Sequence, residues 1–314
     1  MLKVALVGVG GISGAHIPAW ESMKDAELVA LCDIRPEQME KYPNKRRYTD
    51  FDEMLAKEEI DILDICLPTY LHADFSVKAM ENGINVICEK PVSLKKEDVA
   101  RVYAAAEKNN VKFMIAQVLR FWPEYEIVKK IYDEKTYGNL LSGSMTRLGC
   151  RPKWSWDNWM TDKNRSGLVP FDLHIHDLDF MVYAFGKPAK TNAFKSTTET
   201  QDYLNTVYRY DGFFISTEAS WYASPYPFKA AFRFQFDHAV VAWENGEMKI
   251  YEENGKIWSP ISGDGLDTGN IGLPASDAYA NEIRYFTDCV ENGVFPNKVK
   301  PAELEAVLDI LNTL

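Results

Sequence analysis

Apolar and polar positions alternate in two different ways along the 314 residues of the chain. In residues 1–122, short apolar runs predict strands at Val4–Val7, Leu28–Cys32, Ile60–Cys66, Asn85–Cys88 and Lys112–Ala116. Helical spacing predicts helices between them, at Ile12–Glu21, Phe51–Ala56, Ala73–Asn82 and Leu94–Asn109, the last with Ser93 as its N-cap. Because strands alternate with helices, we predict an α/β domain with a doubly wound, mostly parallel sheet.

Residues 123–314 follow a different pattern, in which strands succeed one another. Helices are predicted at Tyr125–Asp133, Leu173–Ala184 and Ser276–Asn292, with Gly293 as C-cap of the third, and a last helix opens at Pro301. Strands are predicted at Leu141–Leu148, Thr206–Tyr210, Phe213–Ser220 and Ala231–Phe236. The turn pairs Asp211-Gly212, Asn245-Gly246 and Asn254-Gly255 are typical of hairpins. This part therefore predicts an α+β domain with an antiparallel sheet.

Three phenylalanines, Phe232, Phe234 and Phe236, alternate along the last of these strands. One face of an antiparallel sheet covers the core, and a second face that is also apolar needs a partner. We therefore predict a homodimer or homotetramer that forms through the exposed face of this sheet.

Composition and charge narrow the class of protein. With 35 Lys and Arg against 46 Asp and Glu, the net charge is −11, so we expect no nucleic-acid or anionic-membrane partner. No segment approaches the ~20 apolar residues of a membrane helix, and the N-terminus is predicted to be a strand rather than a signal peptide. The five cysteines form no Cys-x-x-Cys pair, which predicts reduced thiols in the cytoplasm and no structural zinc.

A glycine-rich turn follows the first predicted strand and opens the first helix. It has the sequence Gly8-Val9-Gly10-Gly11-Ile12-Ser13-Gly14, in which a serine replaces the third glycine of the usual G-x-G-x-x-G. Glycines at such a turn let backbone amides approach a pyrophosphate at the helix N-terminus. The turn therefore predicts a dinucleotide site, and a tight turn without a ligand is the alternative.

Two charged residues at the end of the second predicted strand bear on the choice of dinucleotide. The carboxylate of Asp33 can accept hydrogen bonds from the adenosine ribose and would repel a 2′-phosphate, which favours NAD. Arg35 leaves NADP open, because a guanidinium can bind that phosphate. A helix N-cap before Pro36 is the alternative role of Asp33.

The segment Glu89-Lys90-Pro91 comes directly after the predicted strand Asn85–Cys88. In a doubly wound sheet, ligands bind at the carboxyl ends of the strands, where a lysine amine can contact a reacting group. The sequence therefore indicates a chemical role for Lys90, and an ordinary loop is the alternative.

The segment Asp172-Leu173-His174-Ile175-His176 carries a second set of candidate groups. Asp172 and His176 are four residues apart on a predicted helix, so the carboxylate can orient an imidazole that is suited to proton transfer. Structural histidines are one alternative and metal ligands another. Two histidines two residues apart on a helix diverge by about 200°, which disfavours a shared metal ion.

Five motifs, taken in order, resemble one known family. They are the Gly8–His16 turn, Pro68-Thr69-Tyr70-Leu71-His72, Glu89-Lys90-Pro91, Gln117-x-x-Arg120-Phe121 and Asp172-x-x-x-His176-Asp177. Together they resemble the glucose–fructose oxidoreductase / inositol dehydrogenase / rhizopine catabolism (Gfo/Idh/MocA) family. The resemblance implies a Rossmann domain, residues 1–122, and an α+β substrate-binding and oligomerisation domain, residues 123–314, with a large open, mainly antiparallel sheet.

The resemblance also implies roles for individual residues. Three further candidates are Arg35 beside Asp33, His174, which stands where the family often has a glycine, and Trp159 from the tryptophan loop described below. The candidate cofactor contacts are Gly8, Gly10, Gly11, Ile12, Asp33, Arg35, Leu67, Pro68, Thr69, His72, Glu89 and Gln117. The candidate substrate contacts are Lys90, Arg120, Trp159, Asp172, His174 and His176. Lys90, Asp172 and His176 would be catalytic, with His176 as general acid/base and a cis bond between Lys90 and Pro91. No metal is predicted.

These residues predict an NAD(P)-dependent oxidoreductase that moves a hydride between the nicotinamide and a carbinol carbon. The resemblance implies a polyhydroxylated substrate, namely a sugar, an inositol or a sugar derivative. The tryptophans at 154, 156 and 159 agree with this, because they offer aromatic faces for a pyranose. Core packing is the alternative role of these tryptophans. Two other functions remain open: an NAD-dependent glycosidase that oxidises its substrate transiently, and a catalytically silent regulator that senses the cofactor.

Overall fold

The computed structural model describes residues 1–261 and 276–314, which divide into two compact units. The first unit holds Met1–Val118 and residues 276–304 of the described chain, and the second holds residues 119–261 and Glu305–Leu314. The sequence pattern predicts that residues 123–314 form the second domain, and residues 276–304 differ from this prediction. They join the first unit because Arg284 donates to Asp25 at 2.5–2.8 Å and Thr287 contacts the Met23 sulfur.

A six-stranded sheet forms the centre of the first unit. Its strands are β1 (Leu2–Val7), β2 (Ala26–Cys32), β3 (Arg46–Tyr48), β4 (Ile62–Ile65), β5 (Asn85–Glu89) and β6 (Phe113–Ala116). They lie in the order β3-β2-β1-β4-β5-β6, and all neighbouring pairs are parallel. Apolar runs such as β6 are buried throughout because helices cover both faces. The predicted doubly wound sheet is confirmed.

The helices of the first unit follow the predicted segments closely. They are α1 (Ser13–Glu21), α2 (Phe51–Lys57), α3 (His72–Glu81) and α4 (Glu97–Lys108). The predicted N-cap of α4 is wrong, since the helix begins three residues later than the sequence analysis placed it. The Ser93 hydroxyl instead donates to Asp98 and accepts from the Lys95 amide, so it shapes the preceding loop.

An eight-stranded sheet forms the centre of the second unit. Its strands are β7 (Leu140–Cys150), β8 (Lys190–Thr197), β9 (Asp202–Arg209), β10 (Phe214–Tyr222), β11 (Lys229–Phe236), β12 (Ala239–Glu244), β13 (Glu247–Glu252) and β14 (Ile257–Trp258). The order is β14-β13-β12-β11-β7-β10-β9-β8, with β7 and β10 parallel and the other pairs antiparallel. The three predicted hairpin turns connect β9 to β10, β12 to β13 and β13 to β14, as expected.

Helices complete both units. The later ones are α5 (Pro123–Glu134), α6 (Lys163–Ser166), α7 (Ile175–Phe185), α8 (Ala278–Glu291) and α9 (Pro301–Leu311). A π-helical turn, Pro170–His174, runs directly into α7. No helix in the described parts of the chain is long and apolar enough to cross a membrane. All five cysteines carry free thiols.

The three alternating phenylalanines of β11 lie on the covered face of the sheet, not on its open face. Phe232 and Phe234 are buried and pack against Tyr125 of α5 and Phe180 of α7. The open face of the same strand carries Arg233 and Gln235, which are exposed. The reason given for the predicted oligomer is therefore wrong: alternation identifies the apolar face, but the helices already cover it.

Candidate active site

The glycine-rich turn lies between the end of β1 and the start of α1. Gly8 has a φ of +91°, and a Cβ added there would lie 2.6 Å from the Cys66 carbonyl oxygen, so only glycine fits. A Cβ added at Gly10 would meet no atom within 4 Å. The turn thus leaves open space beside its backbone at the N-terminus of α1, where the positive end of the helix dipole favours a phosphate. This arrangement fits a dinucleotide.

Asp33 follows β2 and is buried, with 6% of its surface exposed. Its two carboxylate oxygens accept from the Val9 amide and the Arg35 amide, each at 2.8 Å, and the Arg35 Nε lies 3.3 Å away. A carboxylate has about four acceptor positions, so acceptor capacity remains for a ribose diol. The short helix at Pro36 has no side-chain cap, so the N-cap role of Asp33 is not what the structure shows.

The loop after β4 was predicted to border the cofactor. Leu67 and Pro68 are half-buried, whereas Thr69 is buried. Both ring nitrogens of the buried His72 face backbone carbonyl oxygens, that of Pro91 at 2.6 Å and that of Leu67 at 2.7 Å. The ring therefore lies between two loops and has no nitrogen left for a cofactor.

Lys90 lies directly after β5 and is half-buried. The bond from Lys90 to Pro91 is cis, as the resemblance implied. The Lys90 amide donates to the neighbouring Glu89 carboxylate at 3.2 Å, and Glu89 itself is buried. Gln117 follows β6 and is also buried. Lys90 thus keeps part of its side chain accessible at this sheet edge.

A buried polar cluster that was not predicted from the sequence includes Glu89 of this edge. His16 of α1 contacts Asp64 of β4 at 2.8 Å through Nδ1 and Glu89 of β5 at 2.9 Å through Nε2. The indole of Trp20 donates to the same Asp64 oxygen at 2.7 Å. Burial disfavours the charged ring, but the attraction of Asp64 raises the pKa of His16 well above 6.5. His16 is the last residue of the glycine-rich motif. This place in the motif was the one feature of the sequence that could have indicated a role for His16.

In the second unit, Asp172 and His176 lie on different kinds of helix. Asp172 lies in the π-helical turn and His176 in the first turn of α7, and both are half-buried. The predicted single α-helix from Leu173 is therefore replaced by a π-helical turn followed by an α-helix. Both side chains keep accessible surface, as a catalytic pair requires.

His174 does not reach a substrate, contrary to the prediction. Its ring is 0% exposed, stacks on Tyr208 and lies 2.5 Å from the Tyr208 hydroxyl through Nε2. Burial, together with the positive charge of Arg147, lowers the pKa of His174 to about 3. His174 is a neutral core residue, because it is fully buried although Asp172 and His176, two positions away on either side, are half-buried.

Arg120 also differs from the prediction. It is 0% exposed, and its guanidinium donates to both carboxylate oxygens of Asp179 at 2.6 and 2.8 Å. A second buried pair joins Arg147 of β7 to Asp177 at 2.8 Å. These pairs connect α7, which carries His176, to its surroundings within the second unit, so Arg120 serves the helix rather than a substrate.

The tryptophan loop divides between core and surface. Trp159 is half-buried and packs against a cluster that includes Met160, Val169 and Trp221. Trp154 is 67% exposed and Trp156 39% exposed. Core packing thus covers part of the Trp159 side chain. The contact of Trp159 with a substrate stays a prediction.

Two family models match most of the chain. The model described as "Oxidoreductase family, NAD-binding Rossmann fold" matches residues 2–117. The model described as "GFO/IDH/MocA C-terminal domain" matches residues 125–255.

Curated relatives are similar to this chain in sequence, and solved structures are similar to it in fold. D-apiose dehydrogenase from Paraburkholderia graminis is 29% identical over 59% of this chain and 50% of its own. A 2,7-anhydro-N-acetylneuraminate hydratase from Mediterraneibacter gnavus is 27% identical over 58% and 49%. The structure of levoglucosan dehydrogenase with NADH and levoglucosan has a TM-score of 0.83 and 21% identity, covering 99% of this chain and 95% of that one. The matches span about half the length of the two curated relatives.

Proposed function

The chain belongs to the GFO/IDH/MocA family of oxidoreductases with an NAD-binding Rossmann fold, and from this premise we propose that it is an NAD-dependent dehydrogenase. Its substrate would be a sugar, an inositol or a sugar derivative that is oxidised at a CH–OH group. One observation carries the proposal: the partly accessible Lys90 lies at the same sheet edge as the glycine turn. Ligands of doubly wound sheets bind at that edge.

Asp33 supports NAD as the cofactor. Its buried carboxylate would accept from the adenosine ribose, while the Gly8–Gly11 turn would hold the pyrophosphate. The Arg35 guanidinium already lies beside Asp33, which reduces its freedom to bind a 2′-phosphate. NADP remains a second possible cofactor, which the experiment below includes.

Oxidation of an alcohol releases a proton and a hydride, and bound NAD would accept the hydride. We assign the proton to His176, because imidazole titrates near pH ~6.5 and Asp172 lies close to it in sequence. We assign Lys90 to the substrate hydroxyl, where its charge would stabilise developing alkoxide character. Trp159 would contribute an aromatic wall for the sugar ring.

Sugar substrates are supported by the names of the relatives. D-apiose and levoglucosan are both polyhydroxylated, and each name describes a dehydrogenase. One relative is named for a hydration, which involves no net oxidation. The second candidate is therefore an NAD-dependent glycosidase, in which the cofactor would oxidise the substrate transiently and be regenerated. We further propose a homodimer or homotetramer in the cytoplasm. Its support is no longer β11 but the exposed phenylalanines Phe194 of β8 and Phe214 of β10, which are apolar side chains on the large sheet of the second unit.

A substrate panel with variants tests the proposal. Sugars, inositols and sugar acids are assayed with NAD and NADP by nicotinamide absorbance and by product analysis. Lys90→Met and His176→Ala should each lower turnover by ~10²-fold or more. Lys95→Met on the same loop and His238→Ala are matched controls, because both residues are exposed.

Each outcome separates the candidates. Net NADH formation that depends on Lys90 and His176 supports the dehydrogenase. Product without net NADH supports the transient oxidation. Near-normal turnover in both variants would overturn the catalytic assignment and favour the regulator.

A further inference from the structure

Two buried histidines contact the residues on either side of Lys90. His16 reaches Glu89 through Nε2 at 2.9 Å, and His72 reaches the Pro91 carbonyl through Nδ1 at 2.6 Å. Glu89 and Pro91 are the chain neighbours of Lys90. Neither histidine contributes accessible surface, since they are 0% and 1% exposed.

The other nitrogen of each histidine reaches the neighbouring strand or its loop. His16 Nδ1 lies 2.8 Å from Asp64 of β4, and His72 Nε2 lies 2.7 Å from the carbonyl oxygen of Leu67, which follows β4. Each ring therefore lies between the end of β4 and the end of β5. Burial lowers the pKa of His72, so its neutral ring donates to one of the two carbonyl oxygens, whereas His16 contacts two carboxylates. The two rings contact residues on opposite sides of Lys90 in the chain.

The Glu89 carboxylate connects His16 to Lys90 itself. One of its oxygens contacts His16, and the other accepts from the Lys90 amide at 3.2 Å. Ionised carboxylates only accept, so His16 between Asp64 and Glu89 must donate through both nitrogens as an imidazolium. Two charge-assisted hydrogen bonds in a buried site hold their geometry more firmly than neutral ones.

Metal binding is a poorer account of this cluster. His16, Asp64 and Cys66 bring their ligand atoms within 4.8 Å of one another. However, the Asp64 oxygen that faces His16 also accepts from the Trp20 indole at 2.7 Å. A cation there would have to replace two N–H donors that already satisfy the carboxylate.

We propose that His16 and His72 are positioning residues that hold the backbone on both sides of Lys90 and thereby fix its side chain at the substrate hydroxyl. This inference rests on the proposed function, because it takes Lys90 as the group that contacts substrate. Displacement of a catalytic group by about 1 Å can lower turnover ~10²-fold. Small shifts of Glu89 or Pro91 would therefore displace Lys90 and lower turnover.

The geometry allows a crossed rescue experiment. The amide nitrogen of Asn occupies roughly the place of a histidine Nδ1, and that of Gln roughly the place of Nε2. At position 16, Gln therefore keeps the Glu89 contact and Asn keeps only the Asp64 contact. At position 72, the preference reverses, because Asn keeps the Pro91 contact and Gln keeps only the Leu67 contact.

We expect the preferred amide to be opposite at the two sites. His16→Asn and His72→Gln should lower kcat by about 10- to 100-fold, whereas His16→Gln and His72→Asn should stay within about fivefold. KM should change less than kcat, because the Lys90 charge is needed most where alkoxide character develops. The Kd of NADH should change little, because the Gly8–Gly11 turn and Asp33 are unaltered. His238→Asn and His238→Gln, at an exposed histidine, should both behave as the unmodified protein.

A second readout needs no substrate. In the protein without cofactor, an amine-reactive acylating reagent labels lysines, and mass spectrometry gives the rate at Lys90 relative to the exposed Lys95. His16→Asn and His72→Gln should raise this relative rate, and the other two variants should leave it near the original value. The labelling rates do not depend on turnover. If Lys90→Met keeps its turnover, the proposed function fails, but the labelling rates still test whether the two histidines position Lys90.

Two results would overturn the inference. Equal effects of Asn and Gln at both sites, in proteins of equal thermal stability, would show that the contacts to Glu89 and Pro91 have no special effect. A loss confined to NADH affinity would assign the histidines to the cofactor instead. If one variant at position 16 does not fold, the pair at position 72 decides alone.

Discussion

Two fully buried histidines, one in each compact unit, differ in the charge that their surroundings impose. His16 lies between the carboxylates of Asp64 and Glu89, and its pKa is raised well above 6.5 although burial opposes this. His174 stacks on Tyr208, and burial together with Arg147 lowers its pKa to about 3. Both rings are 0% exposed, so the sign of the neighbouring charge decides the outcome.

The comparison shows why the two histidines suit different tasks. A charged ring with two carboxylate partners makes two directional contacts, which can hold loops in place. A neutral ring beside a tyrosine makes one neutral hydrogen bond and packs as an aromatic core residue. Position in a motif did not distinguish them, since both lie in segments that resemble the family pattern.

Removing the charge next to His174 should have the largest effect. Arg147→Met leaves the buried carboxylate of Asp177 without its partner, so we expect the free energy of unfolding to fall by about 3–5 kcal/mol. Urea unfolding followed by tryptophan fluorescence measures this change. Combining it with Asp177→Leu should restore much of the loss, because an apolar pair replaces the ionic pair. A double variant as unstable as Arg147→Met alone would show that packing, not charge, accounts for the effect.

Acid should destabilise the protein through His174. The unfolded chain binds a proton at this residue below pH 6.5, whereas the folded protein binds it only near pH 3. The unfolded state therefore holds more protons between those values, and stability falls by up to about 1.4 kcal/mol per pH unit as pH decreases. His174→Gln should flatten this part of the stability profile relative to the unmodified protein. Parallel profiles for the two proteins would contradict the neutral ring.

Alkali should also destabilise the protein, in this case through His16. The folded pKa lies above the unfolded value of 6.5, so the stabilisation is fully present below pH 6.5 and is lost as pH rises through the folded pKa. The slope is up to about 1.4 kcal/mol per pH unit. We expect His16→Gln to remove it, as measured by urea unfolding between neutral and alkaline pH. A His16→Gln protein with an unchanged alkaline slope would contradict the imidazolium.

An exposed Arg–Asp pair should give the smallest change in the free energy of unfolding. It is the matched reference for the buried pair of Arg147 and Asp177. Arg284 and Asp25 approach as closely as the buried pair, but their side chains are 41% and 37% exposed. Arg284→Met should therefore lower the free energy of unfolding by no more than about 1 kcal/mol. A loss as large as that of Arg147→Met would mean that contact distance, rather than burial, sets the strength of these pairs.

The local pattern of the sequence was sufficient for the elements and for the nucleotide-binding turn. Alternating strands and helices predicted the parallel sheet, and Asp-Gly and Asn-Gly pairs predicted the three hairpins, because such turns depend on a few adjacent residues. Gly8 could be assigned from the motif alone, since its backbone conformation excludes other residues. The oligomer, the cytoplasmic location and the catalytic roles stay predictions.

Tertiary structure alone decided which faces and partners the side chains have. Periodicity identified an apolar face through Phe232 and Phe234 but not that helices cover it, and helical spacing could not show that His174 and Arg120 are enclosed. The partners of His16 lie 48 and 73 residues away in the chain. Local sequence determines backbone conformation, whereas burial and charge depend on residues brought together from distant positions, and these set the protonation of each buried histidine.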